Sequence, residues 1–180
     1  IKFLFEPSEE ATPPEEKCGA EAMIDDGALE NPDVDVTFGS HFYPDWQAGT
    51  VALKPGVVFT GNDVVRLVVH GRESHAAVPH TGIDAIYVAS QIVTATQGMV
   101  SHMDIDEAIS VHWTTIHGGR LHNLIASEVT LEGSFRFSDE SLRTSMPAQI
   151  EQLVKGICDS FGATYELDFN IRPMPAVVSS

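Results

Sequence analysis

Two adjacent carboxylates, Glu9-Glu10, follow Pro7 at the end of a short apolar run, Ile1-Lys2-Phe3-Leu4-Phe5. Like charges side by side repel and destabilise each other unless a cation or a proton compensates. In that pattern one carboxylate can ligate a metal while its neighbour serves as general base toward an activated water. The plainer alternative is a solvated acidic loop, which Glu15-Glu16 would continue. His41 stands just past a second strand-like run, Val34-Asp35-Val36-Thr37-Phe38-Gly39. A histidine beyond a strand end can present its ring to a crevice where other strand ends converge. Carboxylates and a histidine at two strand ends, with a helix between, favour a metal site more than either feature alone.

The other chemistry-bearing stretch is Gly71-Arg72-Glu73-Ser74-His75-Ala76-Ala77-Val78-Pro79-His80. Two histidines lie among small residues that let other groups approach, between a strand-like run ending at His70 and a helix-like run that Asp84 can cap. A loop held between rigid elements is where functional side chains concentrate; a polar turn with two surface histidines is the competing reading. Downstream, His117-Gly118-Gly119-Arg120-Leu121-His122-Asn123 carries paired glycines that permit tight turns and close ligand approach. The Asn123 amide can donate to a carboxylate. Arg120 could do so more strongly, but an exposed arginine is often only a solvated counter-charge.

The elements that must position these residues follow from periodicity. Residues 1–5, 34–39 and 49–54 read as strands, with a helix from about Gly19 to Leu29 stopping near Gly27. From about Val58 the pattern changes. Residues 63–70 alternate, with Val65, Leu67 and Val69 on one face. Residues 84–99 are helical, with Ile86, Ala89, Val93 and Gln97 along a stripe. Residues 108–116 and 129–137 are strand-like, and in the latter Val129, Leu131, Gly133, Phe135 and Phe137 share a face. Residues 139–161 are helical, with Leu142, Met146, Ile150, Leu153, Val154, Ile157 and Phe161 at three-to-four spacing, capped by Ser138 or Asp139 and ended by Gly162, with Pro147 expected to kink the helix or start a second segment. Residues 163–169 form a last strand. This β-α-β-β-α-β order is the split-βαβ pattern, with both helices on one sheet face. A proline-rich exit at residues 172–175 reads as a linker.

Composition bounds the function. The chain has 180 residues, 43% hydrophobic, a net charge of −16 and a pI near 4.6. That permits a packed core. It opposes nucleic-acid binding, which needs a basic footprint, and binding to anionic membranes; it suits a protein that holds cations. No run is long and apolar enough to span a bilayer. Cys18 and Cys158 are too few and too far apart for a disulfide framework or a zinc ribbon, so a reduced cytoplasmic setting is the default. The chain opens in the middle of an apolar strand, without an initiator methionine, and reads as an internal piece of a larger protein.

The combination of Phe5-Glu6-Pro7-Ser8-Glu9-Glu10, Ala22-Met23-Ile24 with Gly27, Phe38-Gly39-Ser40-His41, Gly71-Arg72 through His75-Ala76-Ala77 to Pro79-His80, and His117-Gly118-Gly119 with Asn123 resembles the zinc-dependent amidohydrolases of the aminoacylase and carboxypeptidase superfamily. Within it, the N-acyl-amino-acid amidohydrolases, which include hippurate hydrolase and the indoleacetyl-amino-acid hydrolases, are most similar. The resemblance implies a catalytic α/β domain, represented by residues 1–57, and a ferredoxin-like lid and dimerisation domain, residues 58–171. Residues 172–180 would lead back to the catalytic domain. It implies Glu9 as general base, Glu10 and His41 as metal ligands, His75 as the histidine that stabilises the transition state, and Asn123 as a contact for the substrate carboxylate. One or two divalent ions, zinc or manganese, would serve hydrolysis of N-acyl amino acids or small peptide-like substrates. Lids would pair into a homodimer, with His75 reaching the partner's metal centre. Two further ligands are expected upstream of Ile1 and a last one downstream of Ser180, so this stretch alone would bind metal weakly and be inactive. Ser74 stands where relatives of this subgroup often carry glycine, and extra residues surround Pro13-Pro14. The competing readings are a non-catalytic dimerisation or binding module of ferredoxin-like fold and an RNA-binding module, which the charge opposes.

Overall fold

The computed structural model describes residues 1–9, 17–104 and 108–169, and the backbone of 177–179. The chain divides into two compact units, Ile1–Leu53 and Lys54–Ser180.

In the first unit, α1 spans Gly19–Asp25. Its end is a Schellman turn. Gly27, at φ 78°, donates to Ile24 O, and Ala28 donates to Met23 O. Glycine is the residue that takes this left-handed conformation without a Cβ penalty, which is why the helix stops here rather than at Leu29. Residues 1–5, 34–39 and 49–54, expected as strands, are not strands: none of the described residues of this unit pairs in a ladder. An apolar run becomes a strand only when a neighbour takes its backbone bonds. Phe3, Phe5, Val36, Phe38 and Leu53 accordingly stand exposed.

The second unit carries β1 (Gly56–Phe59), β2 (Gly61–His70), β3 (Ser74–His75), α2 (Ala85–Val100), β4 (Ile109–Gly118), β5 (Leu124–Ile125), β6 (Glu128–Phe137), α3 (Glu140–Phe161), β7 (Thr164–Phe169) and β8 (Val177–Ser179). Four strands form an antiparallel sheet in the order β4-β6-β2-β7. This is the order that a β-α-β-β-α-β chain takes when each helix returns its strand to the sheet. Its alternation is as read from sequence: Val65, Leu67 and Val69 of β2 and Val129, Leu131, Phe135 and Phe137 of β6 are all buried. Ala85, Val88, Ala89 and Ile92 of α2, and Leu142, Met146, Ile150, Val154 and Cys158 of α3, close the core against that face. Each large side chain fully withdrawn from water stabilises the fold by about 1.5–3 kcal/mol. Gly133 is required where it stands, because a Cβ there would lie 2.5 Å from His112 O. Two small ladders flank the sheet: β1 pairs with β8, within the stretch read as a linker, and β3 pairs with β5.

Three details depart from the sequence reading. The buried stripe of α2 runs through Ala85, Val88, Ala89, Ile92 and Thr96, leaving Ile86 46% exposed. On α3 the stripe ends at Cys158, and Phe161, 43% exposed, meets Tyr87 edge-on at 5.2 Å. Pro147 neither stops nor divides α3, which is one element from Glu140 to Phe161. A proline there removes one helix bond, but buried Met146 and Ile150 on either side anchor the helix to the sheet. No described helix is long and apolar enough to cross a membrane.

Candidate active site

The turn that leads to the paired carboxylates is fixed by α1. Ala20 N–H donates to Glu6 Oε1 at 3.0 Å, satisfying one of the amides that a helix N-terminus leaves open. A Cβ on Gly19 would lie 1.6 Å from Pro7 O, so only glycine lets the Glu6-Pro7 backbone pass this close. Glu6, seen in the sequence only as part of a motif, is therefore a helix cap that sets the exit of the chain toward Glu9. Glu9 is exposed at the end of that turn. Glu10 lies outside the described residues. His41 is exposed, and its Nδ1 is 2.9 Å from Phe42 O. A carbonyl can only accept, so Nδ1 donates here, and in the neutral ring the lone pair is on Nε2, one of the two tautomers in which an imidazole ligates a metal. The His41 ring lies 5.1 Å from Tyr43, which stacks on Trp46 at 4.9 Å. Among the described residues no group of three or more histidines, cysteines and carboxylates is close enough to hold a metal ion.

In the second unit, two of the residues singled out from sequence come together. His75 on β3 pairs with Leu124 on β5, and Ala76 N–H donates to Asn123 O at 2.9 Å. His75 Nδ1 accepts from Ala77 N–H at 3.1 Å. In the neutral ring the proton is then on Nε2, which makes that edge a hydrogen-bond donor. His75 is exposed and Asn123 half-buried.

The loop that carries His75 is held on both flanks. Gly71 N–H donates to Ser127 O at 2.7 Å, and Arg72 and Ile83 exchange backbone bonds of 2.9 Å in each direction. A Cβ on Gly71 would sit 2.2 Å from Ile83 O, and one on Gly82 would sit 2.3 Å from Ser74 Oγ. The Asp84 carboxylate accepts from Ile86 and Tyr87 N–H at 3.0 and 3.1 Å, the cap expected from sequence. Ser74 Oγ is buried without a hydrogen-bond partner among the described residues. Arg120, though exposed, has a fixed partner: Nε and Nη2 donate to the two Glu73 oxygens at 2.9 and 2.8 Å. This fork holds the Glu73 carboxyl below the usual carboxylate range. Both residues line an open groove of about 390 Å³ with His117, Leu124, Ser127 and Glu128. The sequence reading weighs Arg120 but assigns Glu73 no role, because the two lie 47 positions apart.

Residues 60–161 match the peptidase dimerisation domain family. The chain is 35% identical over 97% of its length to an N-acyl-L-amino acid amidohydrolase of Geobacillus stearothermophilus, of which it covers 46%. It is 34% identical over 96% of its length to an N-acetyl-L-cysteine deacetylase of Bacillus subtilis, of which it covers 39%. It thus spans less than half the length of these relatives. Among solved structures, one from methicillin resistant Staphylococcus aureus, described as an aminohydrolase, superposes with a TM-score of 0.85 at 32% identity, over 96% of this chain and 44% of that one. The Bacillus subtilis YXEP protein, described as a dinuclear metal binding peptidase of the M20 family, superposes with a TM-score of 0.73 at 26% identity, over 98% of this chain and 42% of that one. The β-α-β-β-α-β sheet and the matched residues lead to one conclusion: the chain belongs to the M20 peptidase dimerisation domain family.

Proposed function

We propose that the protein carrying this chain hydrolyses the amide bond of N-acyl amino acids or small peptide-like substrates, as a homodimer paired through its dimerisation domain. The observation that carries this reading is the joining of the His75 and Asn123 segments: His75 pairs with Leu124, Ala76 N–H donates to the Asn123 backbone oxygen, and the His75 ring is fixed with Nδ1 as acceptor. The relatives at 34–35% identity are an amidohydrolase and a deacetylase, which supports the same chemistry. Residues up to 57 would belong to a metal-bearing catalytic domain, residues 58–171 would be the lid, and residues 172–180 would lead back.

The donor set fits a divalent cation: adjacent carboxylates and an imidazole whose tautomer leaves the lone pair on Nε2. Glu10 and His41 would hold zinc or manganese, which supplies Lewis-acid chemistry toward a carbonyl and a water. Glu9 takes the proton of the attacking water and delivers it to the leaving amine. His75 Nε2–H donates to the oxyanion as the carbonyl becomes tetrahedral, where one well-placed donor is worth about 3–4 kcal/mol. Asn123 Nδ2 donates to the free carboxylate of the amino-acid part. His75 serves the active site of the partner subunit, so each subunit lends one histidine and receives one.

The test follows amino-acid release from N-acetyl amino acids with zinc or manganese supplied. His75→Ala should lower kcat about 10²–10³-fold. Asn123→Ala should instead raise KM, and should do so little for an analogue in which an amide replaces the substrate carboxylate. Equal loss on both substrates would remove Asn123 from the carboxylate site. A wild-type protein inactive toward every N-acyl amino acid tried would overturn the hydrolytic reading.

A further inference from the structure

The Glu73–Arg120 pair stands at a mechanically telling place. Glu73 lies just upstream of His75 and Arg120 just upstream of Asn123. Among the described residues the two segments are otherwise joined by a ladder of two residues on each side, by the Ala76 N–H to Asn123 O bond and, four residues before His75, by Gly71 N–H to Ser127 O. A ladder that short has no stability of its own. On the Arg120 side the chain has just passed Gly118 and Gly119, the latter at φ 76°. Glycines with that freedom leave the segment to be fixed by its contacts.

A bidentate guanidinium–carboxylate pair fixes angle as well as distance. Here Nε to Oε2 is 2.9 Å and Nη2 to Oε1 is 2.8 Å. The side chains are 66% and 39% exposed, so the pair is a poor source of global stability. Its place between the segments that carry His75 and Asn123 gives it another role. We propose that Glu73 and Arg120 are positioning residues: their fork sets the register of the His75 segment on the Asn123 segment, and through it the separation of the imidazole donor from the carboxamide. The catalytic part of this inference rests on the function proposed above; the geometric part does not.

The test is amide hydrogen exchange of the full chain at pH 7, read at Ala76, whose N–H crosses between the two segments, and at Leu131 in the middle of the sheet. Glu73→Gln and Arg120→Lys each keep the side-chain length and lose the charged fork. Each should speed exchange at Ala76 about fivefold or more and leave Leu131 within about twofold, the signature of local opening. The charge-swapped Glu73→Arg/Arg120→Glu should restore slow exchange. Exchange at Ala76 within twofold of wild type in both single variants would overturn the proposal, as would failure of the swap to restore it.

In the active protein the single variants should lose about tenfold in kcat/KM, as expected for small misplacement of aligned groups, and the swap should recover most of it. Inactive wild type with the exchange pattern as stated would reject the hydrolytic reading and leave the clasp standing. Active wild type with unchanged exchange would do the reverse.

Discussion

Asp63 is the most deeply buried charged side chain described in the sheet, 1% exposed, and its Oδ2 accepts from Arg143 Nε at 2.9 Å. The guanidinium also lies 5.7 Å over the Phe137 ring and 3.5 Å from Glu140. The Asp63 hydrogen bond first, with the charges of Asp63 and Glu140 after it, holds Arg143 above its usual value. Arg143→Leu keeps the apolar stem of the side chain and removes the charge, leaving Asp63 without its ion-pair partner. Removing one partner of a buried pair costs about 3–5 kcal/mol. Arg143 is 23% exposed, which gives water a path to the carboxylate, so the lower end applies: about 3 kcal/mol, including up to about 1 kcal/mol for the ring contact. For a unit of this size that is a fall in Tm of about 10 °C. The assay is urea unfolding of the full chain at pH 7, followed by far-UV circular dichroism. Asp63→Asn/Arg143→Leu should regain at least about 1.5 kcal/mol over Arg143→Leu, because no stranded charge remains. A loss below about 1 kcal/mol for Arg143→Leu, at unchanged denaturant slope, would refute the claim that this pair bears on stability.

Cys158 is fully buried, and burial raises its thiol to about 11. At pH 8 about one molecule in a thousand carries the thiolate, so a thiol reagent should label half-exposed Cys18 first and Cys158 only in urea. Gly71→Ala places a Cβ 2.2 Å from Ile83 O; it should cost about 2–3 kcal/mol in urea unfolding and unseat the His75 loop, whereas Gly98→Ala, which meets nothing within 4 Å, should be neutral or slightly stabilising. Arg120 lowers the Glu73 carboxyl and Ser141 lowers that of Asp139. A depressed carboxyl adds stability above its unfolded value of about 4, lost as pH falls through the folded value. The urea midpoint should therefore drop below about pH 4, and Asp139→Ala should lie closer to wild type at pH 2.5 than at pH 7.

The sheet was readable from sequence because a face buried under helices imposes alternation. Val129, Leu131, Phe135 and Phe137 declare it without help from the rest of the chain. The Asp84 and Asp139 caps and the Gly162 stop were readable for the same reason: each is a local requirement of a helix end. What escaped was non-local. Asp63 reads as a polar residue at a strand start until a guanidinium 80 positions away reaches it. The β3–β5 ladder is too short to show a period, although it sets His75 against Leu124, next to Asn123 in the chain. The apolar runs in residues 1–53 show β-type composition without a partner strand among the described residues, and composition cannot supply one. Of the candidate site, residue types and order were legible. The tautomers of His41 and His75 were not, because each is set by a hydrogen bond formed only in the folded loop.

The claim that Glu9 and His75 complete each other's chemistry across a two-fold dimer is tested most directly by mixing two nearly inactive full-length variants, Glu9→Gln and His75→Ala. After subunit exchange, verified by differently tagged copies, half the dimers are mixed. In each mixed dimer one site regains both groups while the other lacks both. Recovery of up to about a quarter of wild-type activity is expected. No recovery, with exchange demonstrated, would contradict the claim.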